Sequence, residues 1–251
     1  MQVYHLKASY PFIMVLAVGT AIVLSRRTKR SLPLSGPERL AVGLGAFCGA
    51  MIGAKLPFVL ADWEGLLSGR AWIDNGKTIV FGMVGGYSGV ELAKWACGIR
   101  VKTGDSFAVP VAAAVAIGRL ACFCAGCCYG KETTLPWGVD FGDGRLRHPT
   151  QLYESAFHLL AALGLAWLQR RGLLRGQLIK LYIIAYLIFR FATEFLRPEP
   201  VLALGLTGYQ WAVMALVPVF VALWVHDQRQ GADQSPTRTP LASEISGTVP
   251  P

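Results

Sequence analysis

Four side chains recur at helical spacing near one end of an apolar segment: Tyr186, Arg190, Glu194 and Arg197. The spacing i, i+4, i+8 and i+11 places them on one stripe of a helix. Arg190 and Glu194 can pair across one turn. One interpretation is that they form a purely structural ion pair near a membrane interface. Arg197 adds a guanidinium that this pair does not use. Because the planar guanidinium suits phosphate oxygens, the stripe favours a cationic wall for a phosphate or phosphodiester.

Two further cations lie inside apolar segments. Arg119 precedes the predicted end of its segment at Cys127 by about two turns. It could extend to the interface as an anchor, but a purely anchoring arginine more often lies at the segment end itself. Arg119 is therefore predicted to form the other side of the same site. Lys55 is expected to face the same polar interior, since buried cations in membrane segments are usually functional or paired.

A cysteine cluster follows Arg119 and contains Cys122, Cys124, Cys127 and Cys128. These side chains could pack as small apolar groups, and this interpretation is favoured. They could also form a disulfide, because this end is predicted to face an oxidising compartment. The spacing is not that of a standard zinc site and no histidine lies adjacent, so we expect no metal and no cofactor.

The elements that carry these residues are predicted to be membrane helices. The chain has 251 residues, of which 53% are hydrophobic and 16% charged, with a mean hydropathy of +0.45. A soluble domain carries about 25% charged residues, so the deficit indicates a polytopic membrane protein. The net charge of +9 lies in short loops between apolar runs. This distribution favours contact with anionic lipid and excludes a nucleic-acid partner.

The predicted fold class is all-α, a polytopic membrane protein with seven transmembrane helices. The spans are predicted at 9–25, 38–60, 76–98, 106–127, 151–169, 176–196 and 207–226. With the N-terminus outside, the basic residues after the first, third and fifth spans lie inside, while three acidic residues of 61–75 lie outside. The first span is expected to be retained as an anchor. Residues 1–226 are predicted to form the membrane domain, and 227–251 a disordered cytoplasmic tail.

The third predicted span carries a series of small residues: Gly82, Gly85, Gly86 and Gly89. Small residues one turn apart let two helices approach closely, which is the favoured interpretation. Exposure of backbone to a ligand is the alternative.

Several motifs together resemble the prolipoprotein diacylglyceryl transferase family over most of the membrane region. They are Gly118-Arg119, Tyr129-Gly130-Lys131, Leu135 to Val139, Arg147 to Glu154, Tyr186 to Arg190, Glu194 and Arg197-Pro198. Weaker support comes from Tyr10 and from Gly53-Ala54-Lys55, where the family usually has Arg.

The resemblance implies a multi-pass enzyme of the bacterial inner membrane. The family moves diacylglyceryl from phosphatidylglycerol to the lipobox cysteine thiol of a preprolipoprotein, and glycerol phosphate leaves. The implied catalytic residues are Arg119, Tyr186, Arg190 and Glu194, with the arginines facing the phosphate. The implied substrate-binding residues are Tyr10, Lys55, Gly130, His148, Gln151, Tyr153, Glu154 and Arg197. Membrane lipid, phosphatidylglycerol and the lipobox segment are the expected partners.

Two departures from the family pattern concern the side that handles the thiol proton. The family's His-Gly-Gly motif has no His here, because the aligned segment is Val80 to Gly86. The family's Gly-Asn-Phe-x-Asn-Gly-Glu appears as Ala121 to Cys127, so an Asn and a Glu are absent. Tyr186 or Glu194 remains as a base candidate, with His148 as a weaker one. Two alternatives stay open: a lipid transferase with another acceptor, and an inactive phospholipid-binding or chaperone-like membrane protein.

Overall fold

The computed structural model describes residues 8–29, 32–73 and 76–233. The helices there are α1 Tyr10–Lys29, α2 Gly36–Ala61, α3 Trp63–Ser68, α4 Arg70–Ile73, α5 Ile79–Ala96, α6 Asp105–Ala125, α7 Thr150–Arg171, α8 Leu178–Thr193 and α9 Gly208–Asp233. The seven long helices coincide with the seven predicted segments to within a few residues at most ends. The short helices α3 and α4 fill the predicted loop 61–75, of which residues 74–75 lie outside the described part.

Helix ends follow local chemistry. Ser35 and Glu38 form a capping box at the start of α2, where the Ser35 amide donates to Glu38 Oε2 at 2.7 Å. Thr78 caps α5 by accepting from the Phe81 amide, so this helix begins later than residue 76. Gly126, with φ of 67°, ends α6 two residues before the predicted boundary at 127.

Within the described residues, three helices are long and apolar enough to cross a membrane: α2, α6 and α9 over Gly208–Arg229. The segment Tyr10–Arg26 is a shorter apolar helix. Large apolar side chains point outward on the bundle, including Phe12 at 76% exposure and Trp95 at 80%. Such a surface is unfavourable in water and favourable in hydrocarbon, so a membrane-embedded helical protein is supported.

Helix α8 lies at the centre of the bundle. Tyr182, Ile183, Tyr186 and Leu187 are each at most 2% exposed. They pack against buried residues of three other helices, namely Ala108, Ala112, Ala162, Leu165, Val213 and Phe220. The stripe predicted to carry chemistry is therefore held on the most buried helix of the described chain.

Helices α2 and α5 pack backbone against backbone. A Cβ on Gly85 would overlap the Gly49 carbonyl oxygen and lie 2.9 Å from Gly53 Cα. The reciprocal contact holds at Gly49, whose added Cβ would lie 2.9 Å from Gly89 Cα. Small residues at four-residue spacing permit this approach in the absence of a hydrophobic driving force between helices. Close packing, as favoured for this series of glycines, is confirmed.

The segment between α6 and α7 forms a small hairpin. Strand β1 Val139–Asp140 pairs antiparallel with β2 Leu146–Arg147, which the all-α prediction did not include. Arg147 donates to Asp143 Oδ2 at 2.8 Å through Nε, and this hydrogen bond lowers the pKa of the Asp143 carboxyl below its ordinary value. Short strands carry weak periodicity, so only the turn residues marked this segment in the sequence.

The predicted boundary at 226 falls inside a helix. Helix α9 continues to Asp233, and Asp227 accepts from buried Lys180 Nζ at 2.5 Å. The prediction failed here because a polar composition says nothing about a buried cation on another helix. The rest of the predicted tail, 234–251, lies outside the described residues, and its disorder stays a prediction.

Candidate active site

Glu154 lies at the centre of a buried cluster of arginines. Its Oε2 is 2.5 Å from Arg119 Nη2, its Oε1 is 3.2 Å from Arg190 Nη1, and Arg197 Nη2 also donates to Oε1. Glu154 is fully buried, and each of the three arginines is at most 7% exposed. Glu154 was predicted only as a substrate-binding residue, so its contacts with all three arginines are a finding of the structure.

Four elements bring these side chains together. Arg119 comes from α6, Glu154 from the second turn of α7, and Arg190 from the end of α8. Arg197 follows the 3-10 turn Glu194–Leu196 that continues α8. The four residues of the predicted stripe are all buried, but only Tyr186 and Arg190 lie on α8, because that helix ends at Thr193 and a 3-10 turn begins at Glu194.

Glu194 forms a second layer behind Arg190. The predicted pair across one turn is confirmed, with Arg190 Nη2 at 2.6 Å from Glu194 Oε2. The Thr207 hydroxyl donates to Glu194 Oε1 at 2.9 Å. The guanidinium carbon of Arg190 lies 4.7 Å from the centre of the Tyr209 ring, a cation–π contact. Glu194 therefore orients Arg190, and its role as a base candidate stays a prediction.

The cluster carries an excess of positive charge. Three guanidinium groups meet two carboxylates, so five buried ionisable groups leave one positive charge uncompensated. The Nε atoms of Arg119, Arg190 and Arg197 have no hydrogen-bond partner among the described residues. A buried cation without a counterion is costly, and an unmade hydrogen bond adds to that cost. The cluster thus has both the charge and the free donors to bind a monoanion.

A turn of cysteines covers the Arg119 side of the cluster. Arg119 Nη1 lies 3.9 Å from Cys122 Sγ, and Arg197 Nη1 donates to the Cys128 carbonyl at 3.2 Å. Tyr10, predicted to bind substrate, lies near enough to interact electrostatically with the thiols of Cys122, Cys127 and Cys128. The six cysteines of the chain are free thiols in the structure.

A group of aromatic side chains and one histidine lies directly below Glu154. Tyr182 Oη is 2.8 Å from His158 Nδ1, and the His158 ring centre is 4.7 Å from that of Tyr186. His158 is fully buried, and its Nε2 has no hydrogen-bond partner among the described residues. Tyr186 interacts electrostatically with both Arg119 and Arg190. His158 was not among the predicted site residues, although its position one turn after Glu154 on one helical face was a usable signal.

Other predicted residues belong to the hairpin side of the site. His148 Nδ1 lies 3.3 Å from Tyr153 Oη, which also accepts from Trp137 Nε1 at 2.9 Å. Gln151 is fully buried and donates to the Cys127 carbonyl at 2.6 Å. A side chain on Gly130 would meet the Leu196 carbonyl oxygen at 2.5 Å, so this glycine permits close packing of the loop against the end of α8.

His148 bonds within the hairpin network, so its role as a weaker base candidate stays a prediction. Lys55 is buried in α2 at 8% exposure, and its part in the site also stays a prediction.

An apolar cavity of about 370 Å³ lies between the α2–α5 pair and helices α6 and α8. Its wall includes Val111 and Val115 of α6 and Ala54 of α2. Val111, Val115 and Arg119 follow each other at four-residue spacing, so they lie along one face of α6. The α6 residues that line the cavity thus lie on the same helix face as Arg119.

Comparison with known proteins identifies the family. The family model described as prolipoprotein diacylglyceryl transferase matches residues 4–226. The chain belongs to this family. Three similar proteins are named phosphatidylglycerol–prolipoprotein diacylglyceryl transferase. That of Clostridium tetani is 30% identical over 204 residues, covering 76% of this chain and 81% of the relative.

The prolipoprotein diacylglyceryl transferases that match over a longer range give similar identities. The protein of Pseudomonas aeruginosa strain LESB58 is 32% identical over 248 residues, covering 90% of this chain and 91% of the relative. Enzyme 1 of Streptomyces coelicolor is 31% identical over 260 residues, covering 95% of this chain and 74% of the relative. The resemblance drawn from the arginine and hairpin motifs is confirmed at the level of the family.

Proposed function

We propose that this protein transfers diacylglyceryl from phosphatidylglycerol to the lipobox cysteine of a preprolipoprotein. The observation that carries the proposal is the buried cluster in which three arginines meet two carboxylates and keep their Nε donors free. Phosphatidylglycerol carries one negative charge on a phosphodiester, which matches the excess charge. Arginine can hold two phosphate oxygens in a fixed plane.

The cluster suits the leaving group of this reaction. Attack on the glycerol carbon breaks its bond to a phosphate oxygen, and negative charge grows on that oxygen. Preorganised guanidinium donors in a buried site stabilise such charge more in the transition state than in the ground state. Glu154 and Glu194 hold the Nη atoms of the arginines through ion pairs, so these donors need little reorganisation during the reaction.

The apolar cavity provides a place for the acyl chains. With a phosphate at Arg119, a lipid aligned with α6 would pass Val115 and Val111. The head group would then lie in the charged cluster and the chains in an apolar space, as the amphipathic donor requires. Tyr186, buried between His158 and the arginines, lies near the phosphate position and is assigned to orienting it.

We also propose the topology that the loop charges predict: seven spans in the bacterial inner membrane, with the N-terminus outside and the C-terminus in the cytoplasm. The arginine cluster then lies in the outer half of the bilayer, where lipobox segments arrive after export. A C-terminal reporter should read as cytoplasmic. A periplasmic signal would reject this orientation.

The test uses the purified full chain with phosphatidylglycerol vesicles and a lipobox peptide. Mass spectrometry follows the addition of diacylglyceryl to the peptide thiol. Arg119→Lys and Arg190→Lys should each lower the rate by about one to two decades, the equivalent of roughly 1.5–3 kcal/mol for a charge-assisted hydrogen bond. Arg171→Lys, at the exposed end of α7, is the matched control and should keep full activity.

A lipid-binding assay separates the alternatives. Anionic phosphatidylglycerol should raise the thermal stability of the wild type, while zwitterionic phosphatidylcholine should not. Stabilisation by the lipid without transfer to any peptide would favour an inactive lipid-binding protein. Release of glycerol phosphate without the lipobox peptide would favour another acceptor, a candidate that cysteines at positions 122 and 127 keep open. Wild-type behaviour of both lysine variants in both assays would show that the arginines are structural.

A further inference from the structure

Three of the clustered cysteines converge on one point beside the arginines. The Sγ atoms of Cys122, Cys127 and Cys128 all lie within 4.8 Å of one another. Cys127 and Cys128 are exposed and Cys122 is half-buried, so a ligand from the outer face can reach the thiols. The remaining member, Cys124, is not in this group.

The end of α6 explains the convergence. Gly126 takes the left-handed conformation, and the Cys127 amide donates back to the Cys122 carbonyl at 3.2 Å. This closure of the last turn brings the residue after the glycine over the residue five positions earlier. Cys128 also has a positive φ of 62°, an uncommon conformation for a residue other than glycine, and its Sγ lies 3.8 Å from Cys127 Sγ.

The backbone of this turn is fixed by neighbouring helices. Gln151 donates to the Cys127 carbonyl at 2.6 Å, and Thr150 donates to the Cys128 carbonyl at 2.8 Å. Arg197 donates to the same Cys128 carbonyl. These outer contacts restrict the turn in the way that supporting hydrogen bonds restrict metal ligands. The thiols are therefore positioned by the fold and do not depend on a flexible loop.

Three thiols at this separation form a donor set for a soft metal ion. Thiolates select zinc-like ions and Cu(I), and zinc sites with three protein ligands keep a fourth position for water or substrate. Three thiolates around a divalent ion carry one net negative charge. The Arg119 guanidinium lies 3.9 Å from Cys122 Sγ, close enough to attract that charge. The common zinc motifs place four ligands at typical sequence intervals, and these three cysteines do not match them. For this reason the sequence predicted no metal.

We propose that Cys122, Cys127 and Cys128 bind a zinc-type ion whose open position takes the lipobox cysteine thiol and activates it for transfer. This inference rests on the proposed function. Metal coordination deprotonates a thiol, and a metal-held thiolate is an available nucleophile at neutral pH.

The step balances without an oxidant or reductant. The lipobox thiol loses its proton to solvent when its sulfur binds the ion. The thiolate sulfur forms a bond to the glycerol carbon, and the bond from that carbon to the phosphate oxygen breaks. The electron pair leaves with glycerol phosphate, which takes up a proton from solvent. Arg119 and Arg197 contact both the cysteine turn and Glu154, so the nucleophile and the leaving phosphate are held side by side.

The first experiment measures binding without activity. The reduced full chain in detergent is titrated with Cd²⁺, whose thiolate complexes absorb in the ultraviolet. We expect saturation at one Cd²⁺ per chain and protection of three of the six cysteines from maleimide. Cys127→Ser should weaken binding by about 100-fold or more, since even supporting residues change metal affinity by about 10–100-fold. Cys124→Ser is the matched control and should bind normally.

The second experiment tests the open position. A lipobox peptide with its cysteine should increase the Cd²⁺–thiolate absorption, and the same peptide with Ser should not. In the transfer assay, chelation should lower the rate at least tenfold, and Zn²⁺ should restore it in the wild type and in Cys124→Ser. Zn²⁺ should not restore it in Cys127→Ser, whose thermal stability is measured in parallel.

The outcomes separate this inference from the proposed function. A missing absorption band overturns the metal site. A band without a response to the cysteine peptide, or transfer that is equal with and without metal, overturns the activating role and leaves the transferase proposal intact. Intact binding of metal and peptide with no transfer at any Zn²⁺ concentration supports the metal–thiol site and overturns the transferase proposal.

Discussion

Replacement of Glu154 by Gln removes one negative charge from the centre of the cluster and keeps the shape of the side chain. In the native protein this carboxylate contacts Arg119, Arg190 and Arg197. After the change, three buried guanidinium groups share the single carboxylate of Glu194. Breaking a buried ion pair by removing one partner costs about 3–5 kcal/mol, because the remaining charge is left uncompensated. We expect a loss of that size in the free energy of unfolding.

Chemical denaturation in detergent measures this loss. Glu132→Gln is the matched control, since Glu132 pairs with Arg145 on the surface and is 55% exposed. Exposed ion pairs contribute about 0–1 kcal/mol, so this variant should unfold like the wild type within that range.

Anionic lipid provides a second readout for the Glu154 variant. Because its cluster has two uncompensated positive charges, phosphatidylglycerol should stabilise Glu154→Gln more than it stabilises the wild type. Transfer should still fall, since Arg119 and Arg197 lose the partner that orients them. Equal stability of the variant and the wild type, with equal response to lipid, would refute the conclusion that Glu154 joins the cluster.

The remaining predictions concern packing and the end of the membrane domain. Gly85→Ala should separate α2 from α5 and lower thermal stability, because its Cβ would overlap the Gly49 carbonyl; Gly82→Ala, with its nearest contact at 3.3 Å, should be tolerated much better in the same thermal assay. Asp227→Asn should leave the buried Lys180 ammonium without its counterion and cost about 3–5 kcal/mol in chemical denaturation. Truncation after residue 233 should leave the free energy of unfolding nearly unchanged. An equal loss of stability in Asp227→Asn and in the truncated protein would contradict the assignment of Asp227 to the folded domain.

Helical periodicity predicted the part of the site that lies on one element. Arg190 and Glu194 are four residues apart, so their pairing followed from helix geometry alone. Seven described helices coincide with the apolar segments of the sequence, and three of them are long and apolar enough to cross a membrane. The central position of Glu154 depends on how α7 packs against α6 and α8, and no local pattern records that packing. The sequence nevertheless shows that Glu154 is a carboxylate at the start of an apolar segment, where such a group is a candidate functional residue.

The convergence of the three cysteines could not be predicted from their spacing in the sequence. Spacing rules treat metal ligands as fixed sequence intervals, and Cys122, Cys127 and Cys128 match none of the common ones. Their convergence comes from the left-handed Gly126 and from hydrogen bonds to the turn by Gln151 and other distant residues. A backbone reversal of this kind changes which side chains meet, and sequence intervals do not show it.

The apolar cavity beside the paired helices α2 and α5 has an energetic consequence for lipid exchange. Met51, one of its lining residues, is 40% exposed on the outer surface of the bundle. Acyl chains that enter sideways through this wall stay in hydrocarbon throughout. Drawing a 16-carbon chain through water would cost about 0.8 kcal/mol for each methylene, roughly 12 kcal/mol in all. Sideways exchange avoids this cost for both the incoming donor and the departing lipidated product. Lipid exchange then needs only a local widening beside the cavity, while the glycine contacts keep α2 and α5 paired.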